Sequence, residues 1–195
     1  MADEKHNVAF KVTWLYGTNG PFTGPCDSAG RAWNTNRGGN WCSQPDCLCY
    51  QLDRADNHRE IDVALEEWVC MEAVMFTKWK FGAGVYMTGP HKGQHKPLLQ
   101  ARVGKRAFFT SKSRDMTEDQ RIVIGAYEIG ALESDGQLTA LAGTGIRVRN
   151  INAAPRFWDF YQNRVGLPAW GAGLFRYLSD EQADRMYQAV QLAAS

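Results

Sequence analysis

Lys105-Arg106-Ala107-Phe108-Phe109-Thr110-Ser111, a polar loop over 112–120, then Arg121-Ile122-Val123-Ile124-Gly125-Ala126-Tyr127-Glu128-Ile129: this stretch decides the fold. Within it, Arg106–Ser111 and Arg121–Ile129 read as strands joined by the loop. Upstream, Val8, Phe10, Val12 and Trp14 alternate with Ala9, Lys11, Thr13 and Leu15, a period of two that predicts a strand over 7–16 with one apolar face. Residues 81–87 read as a short strand or turn-strand, and 145–149 as another. Helices are expected at the seams. Ile61, Leu65, Trp68, Val69 and Glu72 fall at helical spacing between 58 and 77, with acids on the opposite face. Two more helices, over 157–164 and 179–193, close the sequence, the second with Ser179 and Gln182 placed as a capping box. The pattern predicts an α+β fold in one compact domain over 1–195.

Composition agrees with a folded chain. It has 195 residues, 44% of them apolar, and a formal charge of +1. A chain of this length buries on the order of 70% of its unfolded surface without needing a covalent staple. The apolar runs are far shorter than the roughly 18 residues that span a bilayer, and residues 1–7 are polar, so the expectation is a cytoplasmic protein with no membrane partner.

The near-zero net charge conceals a strong asymmetry. Seven acids lie between Asp53 and Glu72, whereas 73–114 contains none and holds nine cations: Lys78, Lys80, Lys92, Lys96, Arg102, Lys105, Arg106, Lys112 and Arg114, with His91 and His95 among them. A fold that groups these would present a positive face to a polyanion.

Five cysteines, at 26, 42, 47, 49 and 70, are an odd number for a disulfide framework. Cys26, Cys42, Cys47 and Cys49 lie in a Gly-, Pro-, Asn- and Ser-rich loop region over 20–50, and four thiolates suit a closed tetrahedral zinc site, structural because no position is left for a catalytic water. Reduced thiols packing as small apolar groups, or a redox or nucleophilic thiol, are the competing readings. Cys70 reads as a core residue of the 58–77 helix.

The run 105–111, the loop and the Ile-Val-Ile-Gly-Ala-Tyr-Glu-Ile strand resemble the EVE and PUA-like barrel domains, as does the ending Trp170-Gly171-Ala172-Gly173-Leu174-Phe175-Arg176-Tyr177-Leu178-Ser179 before a helix. The sequence departs from that pattern at Gly104-Lys105, where the family carries Gly-Asp, and in its Cys-rich segment. The resemblance implies a mixed β-barrel with flanking helices, to which the Cys-rich segment, zinc-bound on the reading above, would be an amino-terminal insertion. It also implies a reader of modified nucleotides that accompanies a nuclease domain or subunit in modification-dependent restriction.

On that reading, DNA lies over Lys78, Trp79, Lys80, Tyr86, His91, Lys92, His95, Lys96, Arg102, Lys105, Arg106, Ser111, Lys112, Ser113 and Arg114, and a flipped base enters a pocket drawn from Trp14, Trp33, Trp41, Trp79 and Tyr86. Phosphate neutralisation would supply affinity, and stacking of roughly 1–3 kcal/mol per base would offset the cost of extrusion. Each residue has a plainer role open to it. Trp14 suits a core strand position, Trp33 and Trp41 suit the surface or the metal site, and Trp79 suits a half-buried packing position. His91, His95 and the loop 111–114 suit simple solvent exposure. No catalytic motif is legible. A zinc-containing nucleic-acid-processing enzyme, using Asp115, Glu118 and Asp119 with His91 or His95, and a protein-interaction module of a nucleoprotein complex are the alternatives.

Overall fold

The computed structural model describes residues 4–17, 19–24, 26–36, 41–45, 47–54, 70–86, 88–163, 166–171 and 173–195. The chain divides into two compact units, one made of Met1–Thr13 with Trp79–Ser195 and the other of Trp14–Lys78.

The first unit is α+β. Its strands are β1 (Asn7–Lys11), β2 (Lys80–Gly82), β3 (Arg106–Ser111), β4 (Ile122–Leu132), β5 (Gln137–Ala140), β6 (Ile146–Arg147) and β7 (Phe175–Leu178). They form one mixed sheet in the order β2-β5-β4-β3-β1-β7, with β6 also paired to β4. Only β1 and β3 run parallel among these pairs. The eleven-residue β4 organises the sheet because it is long enough to take β3 along one edge and both β5 and β6 along the other.

Register shifts at Phe109/Thr110 and at Ile129/Ala131 mark bulges, which bend strands and increase their twist. The bend has a measurable result. Phe10 of β1 and Phe81 of β2 stand four strand steps apart, which in a flat sheet is roughly 19 Å, yet their ring centroids are 5.1 Å apart. The sheet is therefore curled, with Phe10, Phe81, Phe109 and Tyr127 in successive contact on its concave side. On the other face, Ala9, Phe108 and Ala126 stand in cross-strand register and pack with Ala183, Met186 and Val190 of helix α4 (Asp180–Ala194).

Burial on both faces corrects the expectation for the first strand. Val8, Ala9 and Phe10 are all buried, and pairing in β1 stops at Lys11 instead of running to Tyr16. Alternation between apolar and polar faces applies to a sheet wetted on one side, and this sheet is covered on both. Three further expectations change. The strand expected over 81–87 is β2 followed only by isolated bridges, and that over 145–149 shortens to Ile146–Arg147. The helix expected over 157–164 is a single 3₁₀ turn, Phe157–Asp159, because Phe157 bonds the Arg121 carbonyl and its ring is held by Trp158, Tyr161 and Trp170. The closing helix forms as expected, with both capping-box hydrogen bonds between Ser179 and Gln182.

The second unit is helical. It holds α1 (Ser28–Asn36), α2 (Leu48–Arg54) and α3 (Met71–Lys78), so the 20–50 segment is more regular than the loop expected from its composition. Asp27 supplies the reason for α1: its carboxylate accepts the Gly30 N–H at 2.7 Å, as an N-cap does. Thr35 donates to Asp53 and Arg54 to Asn36, which ties α1 to α2. Of the helix expected over 58–77, residues 58–69 lie outside the described residues, Met71 onward belongs to α3, and Cys70, expected inside the helix, is buried just before it.

Candidate nucleic-acid interface and thiol cluster

The acid-free stretch does gather five of its candidates in one loop. After β2, residues 84–96 fold back on themselves: the Tyr86 N–H donates to Gln94 O, the Tyr86 carbonyl accepts the Gly93 N–H, and the Lys96 N–H donates to Gly84 O. Gly89 and Gly93 take φ of +81° and +83°, the left-handed conformation such reversals need. Tyr86 is the half-buried centre of this loop. The Lys96 ammonium stands 5.6 Å from its ring centroid, the His91 ring is also 5.6 Å away, and His91 Nδ1 is 3.0 Å from Gln94 Oε1. His91, Lys92 and His95 are exposed. The β4–β5 turn lies against the loop, since a Cβ on Gly136 would fall 3.3 Å from Lys96 O. The same turn carries Asp135, 3.6 Å from Lys80, and the Asp135 carboxyl is held below the usual carboxylate range by hydrogen bonds from Gln137 and by Lys80, against the effect of burial.

The cations at the start of β3 are engaged differently. Lys105 pairs with Asp180 and Arg106 with Asp184, both on the first turns of α4, and the Arg106 guanidinium lies 4.4 Å over the Tyr187 ring. Arg102 donates to the carbonyls of Leu99 and Ala101. Ser111 is buried and its hydroxyl donates to Val12 O at 2.9 Å, so it presents no group to a phosphate. Lys112 donates to Met116 O, Ser113 N–H to Met116 Sδ, and Arg114 lies 3.7 Å from Asp115.

The aromatic candidates divide between units. Trp79, at φ +48°, packs on Gly145 and edge-on against Tyr127, so a Cβ at Gly145 would be driven into its indole. Trp14 packs with Tyr16 and Phe22 in the helical unit, and Trp33 there is 42% exposed. The Trp41 side chain lies outside the described residues. Lys78 is exposed at the end of α3.

Sequence reasoning missed a network beside the loop 112–120. Arg121, 2% exposed, grips the Glu118 carboxylate with two hydrogen bonds of 2.6 and 3.0 Å and lies 4.9 Å over the Trp170 ring. Trp158 Nε1 donates to Glu118 O, and Arg176 faces Trp170 at 5.4 Å. Phe157 and Trp170 are sealed in the core, so this network is architecture. The missed pairing on α4 had a signal: Asp180 and Asp184 are four apart, on one face of a helix with a legible start.

All five cysteines are free and buried. Cys42, Cys47 and Cys49 perturb one another's titration, and Cys49 and Cys70 do the same. Hydrogen bonds from Cys42 and Cys49 pull the Cys47 thiol well below its ordinary value, while those neighbours and Cys70 are pushed up. The Cys26 sulfur accepts from Asn34 Nδ2 at 3.4 Å, and burial raises its pKa to about 11. Among the described residues, no group of three or more His, Cys, Asp or Glu side chains is arranged to hold a metal ion. No described helix is long and apolar enough to cross a membrane.

Comparison of the chain with protein-family models, curated proteins and solved structures found no match.

Proposed function

We propose that the chain is a DNA-binding module of PUA-like (EVE-like) type that reads a modified nucleotide, works beside a nuclease domain or subunit in a modification-dependent restriction system, and carries a structural zinc in its Cys-rich unit. The observation that carries the reading is the Tyr86 loop: one half-buried ring with a lysine over it, a histidine ring beside it, and Lys92 and His95 on the same hydrogen-bonded scaffold. A flat ring among cations offers a stacking surface within reach of phosphates, and every base has a π-face to place on it. The curled mixed sheet supports the PUA-like assignment by its shape alone.

The test is a titration with short DNA duplexes that differ in one modification, each measured at several salt concentrations. Binding that steepens at low salt and favours one modified duplex at least tenfold is the expected result. Tyr86→Ala should remove that preference, while Lys92→Ala should weaken every duplex and flatten the salt slope by about one unit. Absence of binding to any duplex at low salt, or equal binding to all, would overturn the reading.

A further inference from the structure

The sheet ends at β7, which among the described residues pairs on one side only, with β1. The Lys11 N–H fixes the phase of that pairing: it donates to Leu174 O at 2.8 Å, next to the register Phe10↔Phe175, Ala9↔Arg176, Val8↔Tyr177. Hydrogen-bonded and non-hydrogen-bonded pairs alternate along an antiparallel ladder. Leu174, Arg176 and Leu178 therefore exchange bonds with β1, and Phe175 and Tyr177 turn their main-chain groups outward. The Arg176 guanidinium takes the Phe175 carbonyl at 3.1 Å, and no described residue meets the Phe175 N–H or the N–H and carbonyl of Tyr177. Unpaired donors and acceptors in a row are a template for another strand. Beside them the Phe175 and Tyr177 rings stand 5.3 Å apart, and the Tyr177 hydroxyl accepts the Gln100 N–H at 3.1 Å. That contact brings up exposed Leu99 and Arg102, whose guanidinium donates to the Leu99 carbonyl. Neither Arg102 nor Arg176 has a carboxylate partner among the described residues.

We propose that β7 receives an extended acidic peptide of a partner protein as the next strand of the sheet, with a carboxylate on Arg176 and its negative charge favoured by Arg102. The nucleotide-reading loop and the thiols play no part in it. Main-chain pairing accounts for the geometry. Outward N–H and C=O groups on alternate residues match a second strand, whereas a phosphate only accepts hydrogen bonds and would leave the Tyr177 carbonyl unmet. Charge accounts for the choice of strand. Arg176 lies across the edge on the Phe175 carbonyl, and a charged side chain so placed blunts an edge against chance pairing. A carboxylate opposite it draws the guanidinium into a charge-assisted pair and frees that carbonyl to accept from the incoming strand. A second copy of β7 does not fit. Antiparallel two-fold pairing that uses both Phe175 and Tyr177 sets Arg176 against Arg176, and like charges directly opposite each other destabilise a strand pair. Phe175 and Tyr177 share the face opposite to that of Arg176, so the fitting peptide alternates apolar and acidic positions.

The full chain, isotopically labelled, should bind a short end-capped peptide of alternating glutamate and valine, with the Phe175 and Tyr177 amide resonances shifting most. Alternate N-methylation of the peptide, made in its two phases, should abolish binding in one phase and spare it in the other, because only one set of its N–H groups faces β7. Lysine in place of glutamate should weaken binding about tenfold. Arg176→Gln, which opens the edge without a charge, should accept both peptides alike; should that variant fail to fold, the peptide comparisons decide alone. No binding of the glutamate peptide, equal tolerance of the two methylation phases, or equal binding of the lysine peptide by wild type would overturn the proposal. So would a plain DNA duplex that shifts the same two amides and displaces the peptide, since the surface would then belong to a polyanion.

Discussion

Lys105 donates to both carboxylate oxygens of Asp180, at 2.9 and 2.7 Å, and Asn7 Nδ2 donates to one of the same oxygens at 2.8 Å. The Asn7 side-chain oxygen in turn accepts the Arg106 N–H. One carboxylate at the first turn of α4 thus joins β1, β3 and the helix, and it cancels a charge that a polyanion would otherwise meet. Lys105→Ala should accordingly leave the salt slope of DNA binding unchanged within error, in contrast to Lys92→Ala in the exposed loop. A fall of one unit in the slope for Lys105→Ala would show that Asp180 does not neutralise it in solution.

The same carboxylate should register in acid. Hydrogen bonds from Lys105 and Asn7 hold the Asp180 pKa below its ordinary value, so the folded state binds its proton less readily than the unfolded chain does. Stability from this site is complete above the unfolded value of about 3.9 and is lost as pH falls through the lower folded one. Denaturant unfolding at stepped pH should show wild type losing more stability than Asp180→Asn between pH 5 and the acid limit. Parallel curves would refute it. Because the carboxylate is more than half exposed, the difference belongs near the lower end of about 0.2–1 kcal/mol.

Arg121 is the most consequential charge in the sheet unit. Its guanidinium is buried against Trp170 and satisfied by Glu118, so truncation leaves Glu118 facing a cavity and removes the flat group that Trp170 packs on. Arg121→Ala should cost about 3 kcal/mol, as breaking a buried pair does. Arg121→Met, which restores volume without charge, should recover part of that. Equal losses for the two variants, read from urea midpoints, would mean that charge and not packing dominates here.

How far the sequence could be read depended on whether each signal was local. β3 was legible to the residue because Arg106–Ser111 is short, apolar and flanked by polar chain, and the Ser179–Gln182 capping box marked α4. β5 was missed although Asp135-Gly136 precedes it and Asp135 accepts from Gln137 N–H, a turn signature that short-range reading can use. β7 was invisible for a different reason. Its four residues become a strand only through pairing with β1, some 170 positions away in the chain. At the candidate sites the divide is the same. Cys42, Cys47 and Cys49 and the Tyr86 loop lie within short windows, while the neutralisation of Lys105 and Arg106 by α4 is a tertiary event that no window contains.

Gly145 and Trp79 give the sharpest test of whether Trp79 is an architectural ring or a free stacking platform. The indole lies flat against the α-carbon of Gly145, where a Cβ would enter the ring, and Tyr127 stands edge-on to it at 6.3 Å. Gly145 does not use a positive φ, so its requirement for glycine is steric alone. Adding a methyl to a packed contact costs typically 1–3 kcal/mol, and Gly145→Ala should fall in that range. In a Trp79→Ala background the same substitution should become nearly neutral, because the obstructing ring is gone; the coupling between the two changes would then approach the whole cost of the single one. Additive effects in the double-mutant cycle would mean that the indole leaves Gly145 at little cost. Only then would Trp79 be available to receive a base, in place of Tyr86.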